Sequence, residues 1–510
     1  MDYAFQARPS IVAFAVSIIL LIAYLIGLAL YRLYLSPLAK FPGPKLAALS
    51  QWYEFYYDVG QFIFQIQKMH KKYGPIVRIT PFELHVEDSD YWDELYSRHT
   101  RYDKYRLAAQ RFGSEAMLFT TPEHDLHATR LAVLNPMFSK RSIAKLEPFL
   151  KERVELLCNR VRAAKESAEV LNLIDVFTAF TGDVIMEYCF GFCDNQLGSP
   201  GFKANFHEAM VNLTSFGTLT LQFPFLNPIL QSIPDAVTEK LAPALHMVLV
   251  LRRDLKAKVI AIMNGEDQTN TDAQYPTIFH ELLKSNLPPQ EKSLSRLDDE
   301  ALGTIGAGAT TIAWALVTIS FHLISNPPIL KKLQTELKAA FPDPRIEPGL
   351  PQLEKLPYLS ACIQEGIRLS YGLAARHARV SQDKATKYKE WRIPAGTPVS
   401  MTIVDVHHDE HIYPNSRSFV PERWLDNPKT KEGESLSRYF VSFGKGSRSC
   451  IGINLAFAEI FHVAAAMFRR FEFELYETDF SDLELKHDYF LPIPKLDSKG
   501  VRVKVTSVVS

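Results

Sequence analysis

Hydrophobic and polar positions follow a helical rhythm along most of this chain. Apolar residues recur every three or four positions, with charged residues opposite them, across 140–165, 298–325, 327–341, 353–370 and 452–470. Each of these stretches predicts a helix with one face in a core. Shorter strand-like runs occupy 75–80, 84–87, 396–404 and 501–507. The pattern predicts a mainly α chain with a minor β-sheet. One stretch departs from it: residues 9–31, between Arg8 and Arg32, carry no charge. Those 23 residues, rising about 1.5 Å each, are long enough to cross a hydrocarbon core of roughly 30 Å.

A cleaved signal peptide has a shorter apolar core and a small-residue cleavage site. Neither fits, so the segment reads as one uncleaved transmembrane helix. Arg32, Lys40 and Lys45 follow it and place the rest of the chain on the cytosolic side. Pro37, Pro42 and Pro44, with Gly43, stop the helix and make a stiff elbow. The expected organisation is a membrane anchor over 1–35 and one large body over 36–510. A polar loop near 264–276 interrupts the body without dividing it, and no internal repeat is visible.

Composition narrows the classes. Fifty-seven basic and 57 acidic side chains cancel, so no global field attracts nucleic acid, and none is expected as partner. Five cysteines are few and odd in number, which suits a reducing compartment better than a disulfide framework.

The densest chemical signal is Phe443-Gly444-Lys445-Gly446-Ser447-Arg448-Ser449-Cys450-Ile451-Gly452, placed just before a helical pattern. Glycines permit positive φ and tight turns. A cysteine at a helix N-terminus meets free N–H groups and the positive end of the dipole, which favour its thiolate, the form a metal binds. Arg448 can pair with an anionic group, and Phe443 can pack on a flat apolar surface. The plain alternative is a buried cysteine in a Gly-rich turn.

The whole ten-residue pattern resembles the haem-binding signature of the cytochrome P450 family. Further segments resemble that family in its order: Glu365-Gly366-Ile367-Arg368, Pro421-Glu422-Arg423-Trp424, and Ala307-Gly308-Ala309-Thr310-Thr311. The resemblance implies a cytochrome P450 fold preceded by one transmembrane helix. It implies haem b held through Cys450, with Arg448, Phe443, Gly444 and Gly452 around it. Glu365, Arg368 and Arg423 would form an ion network that locks the cysteine loop. Arg376 matches the family's propionate-binding arginine, His127 its aromatic contact, and Arg130 sits one residue off the expected arginine. Thr311 would open the helical hydrogen-bond ladder beside bound oxygen, with small residues letting the helix pass a flat cofactor. Thr310 stands where the family has an acid, so two adjacent hydroxyls are expected to orient water.

By the same resemblance the activity is oxygen insertion into a lipophilic small molecule, with electrons from an NADPH-cytochrome P450 reductase. The setting is a single pass through the endoplasmic reticulum bilayer, with the catalytic body cytosolic. Details resemble filamentous-fungal members of secondary metabolism, which points to a terpenoid. The alternatives are a polyketide or alkaloid, or an oxygen-independent isomerase or dehydratase. Lys445, Arg448, Arg469 and Arg470 form a basic set that could dock an acidic electron donor. The stretch 214–230 could line an access route or dip into the bilayer. His407, His408, Asp409 and His411 are read as a polar stretch, not a second metal site. Cys189 and Cys193 are read as small hydrophobes.

Overall fold

The computed structural model describes residues 9–57, 60–203, 205–266 and 275–509. Most of the polar stretch 264–276 therefore lies outside the described residues. Long helices dominate. The helix Lys140–Ser167 shows why they form where the periodicity places them. Ser139 caps its start by accepting from the Ser142 N–H, and Ile143, Leu146, Leu150, Val154, Leu157 and Val161 recur on its buried face. The central helix Leu294–Ser325 is buried along most of its length because other helices pack on several sides of it: Leu173–Phe190, Pro243–Asn264, Pro357–Ser370 and Ile453–Arg470. The predicted 353–370 helix is two pieces, Leu350–Leu353 and Pro357–Ser370. Pro357 has no N–H to donate, so it opens a new helix better than it continues one.

The sheets are small. One has five strands in the order Ile76–Arg78, Leu84–Val86, Pro398–Ser400, Arg379–Val380 and Asp103–Lys104. Only the Leu84–Val399 pairing in it is parallel. Another pairs Arg502–Val508 with Phe471–Leu475 and Leu171–Asn172. The predicted 396–404 run is a strand only over Pro398–Ser400. Thr402 then accepts from the Asp405 N–H and starts the short helix Ile403–His407.

The N-terminal helix Pro9–Leu30 stands apart from this core, and its described apolar side chains are almost all exposed. Its span Val12–Leu35 is one of two helices among the described residues long and apolar enough to cross a membrane; the other is the buried central helix. The elbow after it is fastened to the sheet. Arg78 donates from Nη1 to the Arg32 carbonyl (2.8 Å) and from its own N–H to Pro42 (2.7 Å). Leu38 and Phe41 are buried, and a side chain at Gly43 would stand 2.5 Å from the Arg78 carbonyl.

Candidate functional site

The cysteine loop leaves the core at Val441 and returns as the helix Ile453–Arg470. The Cys450 N–H donates to the Phe443 carbonyl (2.8 Å), which closes the loop into a compact turn. Gly444 (φ 64°) and Gly446 (φ 75°) both sit in the left-handed region. Gly446 is also pressed on a neighbour: a Cβ there would come within 2.1 Å of the Tyr96 carbonyl. Gly452 lies beside the sulfur, and a Cβ there would stand 3.9 Å from Cys450 Sγ. Phe443 packs at a tilt against Phe457 with ring centroids 5.4 Å apart. Burial pushes the Cys450 thiol above its ordinary pKa, and a hydrogen bond from the Gly452 N–H works the other way. The helix terminus alone therefore does not yield a thiolate; a metal cation at sulfur would. Cys450 is exposed although protein surrounds it on most sides.

The ion network stands behind this loop. Glu365 and Arg368 are both fully buried. Glu365 accepts from Arg368 Nε (2.9 Å) and Nη2 (2.8 Å), Arg423 Nε (3.0 Å), Trp424 Nε1 (2.9 Å) and the Val420 N–H (3.0 Å). Burial alone would raise the Glu365 pKa, but Arg368 and Arg423 outweigh it and hold the carboxyl below its ordinary value. The link onward to the cysteine loop is His407. Its Nδ1–H donates to the Arg368 carbonyl (2.9 Å), and its Nε2 accepts from the Val441 N–H (3.2 Å). Arg368 Nη1 returns a bond to the His407 carbonyl (2.8 Å). With both ring nitrogens engaged, His407 has no lone pair left for a metal. The sequence marks His407 only as part of a polar stretch; nothing local to it announces the bridge.

A set of cations gathers near the loop. Lys104 and Arg379 are directly opposed across an antiparallel strand pair, where like charges destabilise. Burial, then Arg379 and Arg448, push the Lys104 pKa well down. Burial and Arg379 take Arg448 down to about 10, although Asp103 and Glu123 pull it up. Burial, then Arg448, Lys104 and Arg379, bring His127 down to about 3. Arg448 donates from Nη1 to the Thr121 carbonyl and from Nη2 to the Pro122 carbonyl (both 2.6 Å). Its buried Nε has no acceptor among the described residues. Mutually repelling, half-satisfied cations beside a cysteine floor suit a flat cofactor that carries carboxylates and takes a thiolate ligand.

Two further arginines have carboxylate partners of their own. The Arg376 guanidinium is held by Glu83 (Nε, 2.8 Å) and Glu54 (Nη2, 2.7 Å), whereas Arg379, three residues on, stands in the cation set. Arg130 forms a two-point pair with Glu291 (2.6 and 2.9 Å).

The central helix supplies an accessible strip inside the core: Ala307 is exposed and Thr311, one turn on, is half-buried. Thr311 Oγ1 donates to the Ala307 carbonyl (2.8 Å), and the α-helix runs through this point without a break. The expected opening of the ladder is absent because the hydroxyl bonds back onto its own preceding turn. Thr310 is buried on another side, with its hydroxyl on the Gly306 carbonyl (2.7 Å). Adjacent helical residues are about 100° apart, so the two hydroxyls do not share the open face. The glycines serve helix packing. A Cβ at Gly308 would meet Ile185 at 2.6 Å, and one at Gly306 would meet Met210 at 2.8 Å.

The segment 214–230 falls in the helices Asn205–Gln222 and Leu226–Ser232 and the turn between them. Phe223 packs edge-on to Phe55 (5.3 Å) and near Trp52 (5.8 Å) in a largely exposed aromatic patch. Beneath it lies a cleft of about 400 Å³ lined by Glu54, Glu83, Tyr105, Arg111, Leu221 and Arg376. The basic set behind the cysteine does not form one free face. Lys445 pairs with Asp93 (2.6 Å), Arg448 points inward, and Arg469 and Arg470 are buried. Cys189 is fully buried and Cys193 partly so.

Comparison with known proteins bears on the whole chain. The family model for Cytochrome P450 matches residues 42–499. The cytochrome P450 monooxygenase sdnE of Sordaria araneosa is 54% identical over 505 residues, 96% of this chain and 98% of that protein. Tryptophan 6-hydroxylase fscE of Fusarium equiseti is 42% identical, covering 94% of each chain. N-acetyltryptophan 6-hydroxylase ivoC of Emericella nidulans is 39% identical, covering 97% of each.

Proposed function

This chain belongs to the cytochrome P450 family of haem-thiolate monooxygenases, and on that premise we propose that Cys450 supplies the thiolate and that a lipophilic small molecule is the substrate. The observation that carries the assignment of the ligand is the accessible thiol on a tight glycine turn, beside cations that lack enough counter-charge. Bound haem b supplies reductive activation of O2, with one oxygen atom going to the substrate and the other to water.

The rest falls to the protein. Arg379, Arg448, Lys104 and His127 would hold the propionates, and Phe443 would pack on the porphyrin. Glu365, Arg368, Arg423 and His407 keep the loop rigid and would hold the sulfur where the cofactor's metal needs it. Thr311 Oγ1, its proton donated to the Ala307 carbonyl, offers its lone pairs at the open strip to orient water; Thr310, buried, steadies the helix. No carboxylate adjoins Thr311 in the helix, so the protons the reaction consumes would come from water admitted to the cleft. Residues 1–35 anchor the protein in the endoplasmic reticulum membrane, and 36–510 form the cytosolic catalytic body. The exposed aromatic patch admits substrate from the lipid side, and an NADPH-cytochrome P450 reductase delivers electrons.

For substrate we favour a terpenoid of fungal secondary metabolism. A second reading, an indole-bearing amino acid derivative, is favoured by the two relatives named as tryptophan-type hydroxylases. Reduced protein treated with carbon monoxide should show a strongly red-shifted Soret band, and Cys450→Ala should abolish it. A band that survives in Cys450→Ala refutes the assignment. Incubation of membranes, NADPH and either a terpenoid panel or tryptophan and N-acetyltryptophan separates the substrate readings. Product formed without NADPH would instead indicate an isomerase or dehydratase.

A further inference from the structure

Most threonines of the central helix direct their hydroxyl protons to the turn behind them. Thr310, Thr311 and Thr318 donate to the carbonyls of Gly306 (2.7 Å), Ala307 (2.8 Å) and Trp314 (2.8 Å). Thr304 departs from this habit. Its hydroxyl turns to a side chain and donates to Glu300 Oε1 (3.3 Å).

Thr304, Ala307 and Thr311 follow one another at spacings of three and four, within about 60° on one face of the helix. Ala307 is exposed, and Thr304 and Thr311 are half-buried. The face is thus open along its length, although Leu302, Ile305, Ala309 and Ile312 are buried on the others. Thr304 and Thr311 are seven residues, roughly 10 Å, apart, and Ala307 presents only a methyl group between them. An elongated apolar body fits along such a face, with one polar group at each end.

Glu300 decides what the Thr304 end recognises. It is 3% exposed and held from two sides. Its Oε2 lies 2.5 Å from Arg296 Nη1 and accepts from the Leu118 N–H (2.9 Å), which leaves Oε1 for Thr304. A carboxylate paired with a guanidinium only accepts. The Thr304 proton is therefore committed to Glu300, and the hydroxyl has only lone pairs to offer the open face. It can accept from an N–H or O–H and has nothing to give an ether or carbonyl oxygen.

We propose that Thr304 is a substrate-binding residue, which accepts a hydrogen bond from an N–H or O–H on the lipophilic substrate, about 10 Å from the carbon that is oxidised. The role rests on the proposed oxidation at the Thr311 end and adds a chemical requirement to it. An indole N–H or a terpenoid hydroxyl meets that requirement; a bare hydrocarbon does not. A terpenoid substrate would then come from an earlier hydroxylation.

The test is optical titration of the full-length haem-loaded enzyme with N-alkylimidazoles. Their chains, of about four to ten carbons to bracket the span, end in a hydroxyl, a methyl ether or a methyl group. The azole fixes one end at the cofactor, and the chain carries the end group along the open face. At one chain length the alcohol should bind wild type about tenfold tighter than the ether, and the advantage should fade in shorter and longer chains. Thr304→Val, which keeps the shape and removes the acceptor, should erase that advantage and leave the methyl-ended series unchanged. Thr304→Ser should keep it. A merely structural role would instead shift all three series together. No chain length that favours the alcohol, or an advantage that survives Thr304→Val, overturns the role. A chain without the carbon monoxide band refutes the cofactor chemistry and this role with it; a haem-loaded protein indifferent to the end group refutes this role alone.

Discussion

Replacing Glu365 with glutamine tests whether the buried ion network holds the cysteine loop. The native carboxylate accepts five hydrogen bonds, three of them from guanidinium nitrogens. A glutamine offers one carbonyl oxygen to those donors and sets its own NH2 against the remaining ones. Arg368, fully buried, then keeps its charge without a carboxylate. Breaking one side of a buried pair costs about 3–5 kcal/mol, a large part of the roughly 5–15 kcal/mol that holds a typical domain. At about 1.4 kcal/mol per decade, the folded-to-unfolded ratio falls by roughly two to four orders of magnitude. The loss should also appear in the site, because Arg368 reaches the loop through His407 and the Val441 N–H. Urea unfolding followed by circular dichroism reads the first effect, and the carbon monoxide band per mole of protein reads the second. The double variant Glu365→Gln/Arg368→Met should recover part of the stability, since it removes the stranded charge. A Glu365→Gln protein within about 1 kcal/mol of wild type would refute the reasoning. So would a double variant whose losses simply add.

Four further outcomes follow from the geometry. Gly446→Ala should abolish haem incorporation, because its Cβ would clash with the Tyr96 carbonyl, whereas Gly444→Ala, whose Cβ comes no closer than 3.9 Å to a neighbour, should cost only about 1–2 kcal/mol of backbone strain; spectra and unfolding curves separate them. Arg379→Met should speed haem loss to apomyoglobin, while Arg376→Met, leaving Glu54 and Glu83 unpaired, should lower thermal stability with less effect on that rate. His322 is buried and stacked on Phe419, and burial brings its pKa down to about 4. Its folded value lies below the unfolded one, so its contribution is present above about pH 6.5 and is lost as pH falls toward 4; His322→Phe should flatten the stability profile in that window. Thr311→Ala should lower product formed per NADPH oxidised, and Thr310→Val should change that ratio little, since only Thr311 lies on the open strip.

What could be read along the chain were features that are local to it. The cysteine loop is contiguous, its turns need glycine at fixed places, and the helix after it carries its own periodicity. The same holds for Lys140–Ser167 and Ile453–Arg470, and for the uncharged N-terminal span. Other features depend on what arrives from distant residues. The sequence singles out Arg376 and passes over Arg379; Glu54 and Glu83, some 300 residues earlier, pair with the first, while the second faces Lys104. Thr310 and Thr311 differ only in which side of their helix other helices cover. His407 becomes a bridge because two segments on either side of it in the chain meet at its two nitrogens. Strands of two residues, such as Asp103–Lys104, have too few positions to show an alternation and exist only through their partners. Backbone turns and amphipathic faces are set by neighbours in the chain; the pairing of charges is set by neighbours in space, and here it decided which cations stay short of counter-charge.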